Sequence, residues 1–92
     1  MIKLTATSRA LLSAWIELTQ ASVTCYLQTA AGMRTPAQLR VEHQPGRVQL
    51  TLRAAGTVNS IRLPTGQAKH TLATSAQRWI EDCANGRLES AA

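Results

Sequence analysis

The stretch RVQLTLR, residues 47–53, alternates without exception: Val48, Leu50 and Leu52 stand between Arg47, Gln49, Thr51 and Arg53. In an extended chain successive side chains point to opposite faces, so one set meets a core and the other meets solvent or a ligand. Just before it, Leu39, Val41 and His43 alternate with Arg40 and Glu42, and Pro45-Gly46 separates the two runs. Proline presets φ at one turn position and glycine accepts positive φ at the next, which predicts a tight reversal. Ala54-Ala55-Gly56 supplies a second turn, into TVNSIRL. There Val58 and Ile61 are three apart, so either Val58 is exposed or a bulge sits near Asn59-Ser60. The pattern predicts strands over 38–43, 47–53 and 57–63, paired as an antiparallel meander and ended by Pro64 and Gly66.

A different period governs residues 8–32. Arg9, Ser13, Glu17, Gln20, Thr24 and Gln28 recur at intervals of three or four and draw one polar stripe along a helix. Ser8 suits the N-cap and Gly32 the residue after the C-cap. The stripe predicts a helix over 9–31, roughly 35 Å long at 1.5 Å per residue. A competing reading ends the helix near Gln20 and runs a strand through SVTCYLQT, where Val23, Cys25 and Leu27 alternate. The single helix is adopted because the stripe continues in phase without a breaker. Its apolar residues then cover more than half its circumference, and the face formed by Leu12, Ile16, Val23 and Leu27 is in excess of what one small sheet can bury. That excess predicts a second copy or a partner protein packed on the helix.

The last patterned segment, HTLATSAQRWIEDCANG, carries Leu72, Ala76, Trp79, Ile80 and Cys83 on one helical stripe and predicts a helix over 71–85. Thr74 and Gln77 have capping-box spacing, Arg78 and Asp82 form an i,i+4 pair, and Gly86 is a stop. Residues 87–92 read as a frayed tail. The expected fold is α+β: a long N-terminal helix, a three-stranded antiparallel sheet and a C-terminal helix, in one domain spanning 1–92.

Composition narrows the function classes. Ninety-two residues support one core, and 45% hydrophobic residues is ordinary for a globular chain. Ten Lys/Arg against five Asp/Glu leave a net charge of +5, and eight of the ten cations are arginines, suited to bidentate contacts with phosphate or carboxylate. An anionic partner is therefore expected, either nucleic acid or an acidic protein patch. Cys25 and Cys83 fall on apolar stripes and read as buried, reduced thiols. Neither a signal peptide nor a membrane-spanning run is read, which places the chain in the cytoplasm with no membrane partner.

No catalytic constellation is visible. The chain has one aspartate, Asp82; His43 and His70 have no metal-ligand spacing, and PTGQAK lacks the second glycine and the ending of a phosphate loop. No enzyme activity, metal or cofactor is expected. A binding surface is the stronger reading: Arg40, Arg47, Gln49, Arg53 and Arg62 share the outer sheet face, and Lys69 stands just before the last helix. The expectation is a small non-enzymatic interaction protein (an accessory, adaptor or inhibitor of the kind phages and mobile elements carry). It would bind a protein partner through the apolar helix, the basic sheet face or both, and form a homodimer. The alternative is a nucleic-acid-binding protein whose sheet arginines grip backbone phosphates.

Over residues 36–84 the expected order also resembles that of the double-stranded-RNA-binding domain. TGQAKHTLA occupies the place where that family has a glycine and a lysine-rich helix start, with Lys69 and His70 corresponding and the paired lysines missing. EHQPGR contains the His, Pro and Gly of the family's first loop in a different order. The resemblance implies two helices on one sheet face, the other face free, and phosphate contacts at the start of the last helix.

Overall fold

In the computed structural model, which describes residues 1–54 and 56–86, the first helix ends at Ile16 and the following segment is a strand. The order is β1 (Lys3–Leu4), α1 (Ala6–Ile16), β2 (Gln20–Gln28), β3 (Arg34–Gln44), β4 (Arg47–Ala54), β5 (Thr57–Pro64) and α2 (Lys69–Ala84). The five strands make one antiparallel sheet in sequential order. The fold is α+β, as expected, but the sheet has five strands rather than three, and the 9–31 helix is replaced by an eleven-residue helix and a nine-residue strand.

The physical reason lies in the polar stripe itself. Gln20, Thr24 and Gln28 are spaced by four, and four is also a multiple of two, so the same residues line one face of a strand. Nine register pairs with β3, from Gln20↔Glu42 to Gln28↔Arg34, satisfy the backbone along the whole segment. Val23, Cys25 and Leu27 then point inward between Ser22, Thr24 and Tyr26. The β-branched Val23 and Thr24 favour this pleated surface. The N-cap of α1 is Thr5 rather than Ser8: the Thr5 Oγ1 accepts the Ser8 N–H at 3.3 Å, while Ser8 Oγ accepts the Tyr26 N–H at 3.0 Å. At the other end of α1, the His43 ring Nε2 bonds the Ile16 carbonyl and the His43 N–H donates to the Thr19 carbonyl at 2.9 Å. His43 thereby satisfies a helix-end carbonyl that has no partner within the helix.

Strand β3 begins four residues before the expected position 38, in the segment between the expected helix and the expected strand. Pro36 is tolerated because residues 34–36 pair with β2 alone, β4 joining only from Gln38↔Arg53, and proline is accepted where one side of a strand needs no donor. The turn at Pro45-Gly46 stands as expected, with Gly46 at φ 75°. The β4–β5 register runs unbroken from Ala54↔Thr57 to Arg47↔Pro64, so no bulge exists and Val58 is exposed. In the second turn Ala55 lies outside the described residues, as does the expected tail, 87–92.

Both helices lie on one face of the sheet. Leu12 and Ile16 from α1, and Leu72, Ala76, Trp79 and Ile80 from α2, close over Cys25, Leu27, Leu39, Val41, Val48, Leu50, Leu52 and Leu63. Leu12, Ile16 and Leu27 are buried in this core and Val23 packs against it. The four residues expected to form a partner-binding helix face belong to the domain's own interior, which removes the apolar excess that pointed to a helix-mediated dimer. Helix α2 spans 69–84 with the stripe predicted for it, although Ala68 stands at its N-cap without a side-chain bond. Thr74 Oγ1 donates to the His70 carbonyl at 2.8 Å instead of capping. No helix among the described residues is long and apolar enough to cross a membrane.

Candidate functional site

With both helices on one side, none of the described elements covers the other face of the sheet. Alternation and register place its side chains in rows running across the strands. One row is Thr24, Gln38, Arg53 and Val58; the next is Ser22, Arg40, Thr51 and Ser60; the third is Gln20, Glu42, Gln49 and Arg62. Gln44, Arg47 and Pro64 close one end, and Lys3, Gln28 and Arg34 lie toward the other. Arg40, Arg47, Gln49, Arg53 and Arg62 therefore share the face as the sequence pattern predicts.

Lys69 does not join them. It opens α2 on the helix side, where its Nζ lies 2.7 Å from Glu17 Oε1. Together with the element order β-α-β-β-β-β-α, this separates the chain from the arrangement that the double-stranded-RNA-binding resemblance implies, although the two helices do share one face.

Lys3 and Arg34 are residues of this face that sequence reasoning missed. Both are exposed and lie in the outward register, Lys3 opposite Gln28 and Gln28 opposite Arg34. The alternation of Ala37, Leu39 and Val41, extended backward past Pro36, is the signal that reaches Arg34. Lys3 sits in a two-residue strand that carries no pattern of its own.

With these two included, the charge separates by side. Among the described residues the open face holds six cations, Lys3, Arg34, Arg40, Arg47, Arg53 and Arg62, against one acid, Glu42. The other described cations, Arg9, Lys69 and Arg78, are matched in number by Glu17, Glu81 and Asp82. The net charge of the described chain therefore resides on the open face.

The arginines are also grouped. Arg40 stands opposite Thr51 and Arg53 opposite Gln38, so the two are diagonal neighbours with Cα atoms about 7–8 Å apart. Arg47 and Arg62 form a second diagonal pair across β4 and β5. Along β4, Arg47 and Arg53 are about 20 Å apart at strand rise. Arg40 and Arg53 rim a polar concavity of ≈ 500 Å³ lined also by Ser22, Gln38, Glu42 and Thr51. Glu42 Oε1 lies 3.1 Å from Arg40 Nε, and Gln44 Oε1 accepts from Arg47 Nε at 3.0 Å. Among the described residues neither Arg53 nor Arg62 has an acidic partner. Like charges side by side on a sheet repel, and an anion laid across them removes that repulsion.

The remaining chemistry-bearing side chains are dispersed. No three His, Cys, Asp or Glu side chains converge among the described residues. His70 and Asp82 line the same groove but are separated by twelve residues of α2, about 18 Å of rise, too far to share a proton. Arg78 and Asp82 also line that groove; the described ion pairs are Arg40–Glu42 and Lys69–Glu17. The Cys25 thiol is pushed up to about 11 by burial, and Cys83 likewise to about 11 by burial and then by the Asp82 carboxylate. A thiol that stays protonated at neutral pH is a poor nucleophile. Comparison with protein families, curated proteins and solved structures finds no match to this chain.

Proposed function

We propose that this chain is a small non-enzymatic interaction protein that binds a polyanion through the open face of its sheet, and that the anion is the phosphate backbone of a nucleic acid. The supporting observation is the separation of charge, six cations and one acid on the open face against a balanced helix side. A solubilising excess of charge has no reason to collect on one face. The interior of that face carries Arg, Gln, Ser, Thr and Glu, without an apolar centre. Protein interfaces usually have an apolar core with charge at the rim, whereas phosphate contacts use Arg, Ser, Thr and Gln directly. With few aromatics to stack bases, binding is expected to depend weakly on sequence.

An acidic protein surface is the second reading, favoured by one observation. Tyr26 and Val58 are 46% and 55% exposed at opposite edges of the face, and Tyr26 stands beside Pro36. Tyrosine is enriched among residues that dominate protein interfaces, and these positions could anchor such a contact.

Titration of the protein with labelled duplex and single-stranded DNA and RNA, at low and moderate salt, separates the two. Phosphate binding predicts affinity that falls with salt at a log–log slope near 0.9 per neutralised phosphate on duplex DNA. Absence of binding at low salt removes the nucleic-acid reading. Protein capture from the native host, lost on joint Arg47→Glu and Arg53→Glu substitution, then becomes the result expected of the alternative.

A further inference from the structure

The two edges of the sheet are finished differently. At β1, three of the backbone groups that face away from β2 are engaged by Glu81 of α2 and its C-cap residue Asn85. Asn85 Oδ1 accepts the Ile2 N–H at 2.9 Å, Asn85 Nδ2 donates to the Ile2 carbonyl at 2.8 Å, and Glu81 Oε2 accepts the Leu4 N–H at 3.1 Å. The asparagine amide acts as one more peptide unit along the edge. At β5 no such cover exists among the described residues, of which only β4 pairs with it.

The ladder itself says which β5 groups are free. The Thr65 N–H donates to the Gly46 carbonyl at 3.2 Å, so Gly46 and Thr65 form a hydrogen-bonded pair. Such pairs recur every second residue in an antiparallel ladder, at Val48–Leu63, Leu50–Ile61 and Leu52–Asn59. Val58, Ser60 and Arg62 therefore turn their N–H and C=O groups toward the open edge. Beyond them Pro64 has no N–H, and its carbonyl accepts from Gln67 Nε2 at 3.0 Å.

We infer that β5 pairs with β5 of a second copy of this chain, antiparallel about a twofold axis through Ser60, to make a closed dimer with one continuous ten-stranded sheet. Only this register uses every free group: Ser60 exchanges two hydrogen bonds with its own copy, and Val58 exchanges two with the copy's Arg62 on each side of the axis. Pro64 falls beyond the ladder. On the open face the exposed Val58 receives the aliphatic stem of the copy's Arg62. The two Arg62 side chains stand four residues apart along the strands, about 13 Å, so like charges do not meet. On the helix side, the groove between β5 and α2 is lined by Ile61, Leu63, Trp79, Arg78 and Asp82. A surface with both a cation and an anion beside apolar groups is self-complementary under a twofold. Because Glu81 and Asn85 close β1, β5 has no free edge of the opposite kind to join, so pairing ends at two copies rather than growing into a fibre.

Sedimentation velocity on the full chain over a concentration series tests this. The expected result is a species of twice the chain mass that dissociates on dilution. Ser60→Pro deletes the N–H at the axis but none that faces β4, a position where an edge strand tolerates proline, and should leave a folded monomer. Ser60→Cys places two thiols across a pair whose Cα atoms are about 5.5 Å apart, within disulfide reach. It should give a covalent dimer under mild oxidation, and Arg62→Cys should not. A monomer at every concentration overturns the inference. So does a dimer that persists in Ser60→Pro, or one that Ser60→Cys fails to cross-link.

Discussion

On β4, Val48, Leu50 and Leu52 are sealed beneath the two helices, while Arg47, Gln49, Thr51 and Arg53 lie on the other side of the same backbone. Neighbouring residues thus belong to one strand and differ in what their side chains meet. The inner set holds the domain together through close packing, in which each methylene removed leaves lost contacts behind. The outer set contributes little to folding, and part of it, the diagonal arginine pairs, works slightly against it. Stability and the proposed recognition therefore fall on alternate residues, and substitutions on the two faces should separate the two properties.

The largest effect is expected inside. Leu50 is fully buried at the middle of the central strands, and Leu50→Ala should cost about 2–5 kcal/mol, measured as a lowered urea midpoint. Any loss of nucleic-acid affinity in this variant should disappear when affinity is corrected for the folded fraction. On the outer face, Arg47→Ala with Arg53→Ala should leave stability within about 0.5 kcal/mol of the parent, while the salt slope of duplex binding falls by about two. If the double variant loses stability and keeps its slope, the arginines are structural and the division between faces fails.

A smaller change should sharpen the comparison. Glu42 is the one acid on the open face among the described residues, and it lies beside Arg40. Exposed ion pairs contribute little to stability, about 0–1 kcal/mol, so Glu42→Gln should fold normally. Freed from its partner, Arg40 should tighten polyanion binding a few-fold and steepen the salt slope by about one. Unchanged or weaker binding would mean that Glu42 orients Arg40 for a specific contact rather than masking its charge.

The inner and outer faces were not equally legible in the sequence. β4 and α2 were readable because each has a single period: Val48, Leu50 and Leu52 at two, and Leu72, Ala76, Trp79 and Ile80 at helical spacing. β2 was misread because Gln20, Thr24 and Gln28 satisfy both periods, and only pairing with β3, fourteen residues away at Thr24↔Gln38, decides between them. That single ambiguity turned core residues Leu12, Ile16 and Leu27 into an apparent partner site and hid Ser22 and Thr24 from the open face. β1 has no period to read. Two residues of strand persist because Glu81 and Asn85 hold them, 77 and 83 residues away in sequence. The arginine face was legible wherever its strand was, and incomplete where Pro36 masked the start of β3.

The smallest effect is a titration confined to the buried side. Cys25 lies in the core beneath α1, and its thiol shifts from 9.0 to about 11 because burial disfavours the thiolate; Cys83, half-buried on α2, shifts by the same amount. The unfolded chain releases these protons from about pH 9 and the folded chain only near 11, so between those values the unfolded state binds fewer protons. Stability must then fall as pH rises through that window, and the contribution of the buried thiols is fully present below pH 9. The urea midpoint of the native chain should fall more steeply from pH 9 to 11 than that of a Cys25→Ala, Cys83→Ala variant, whatever constant offset the lost side chains impose. Parallel slopes would place both thiols in contact with water and open the core where the structure closes it.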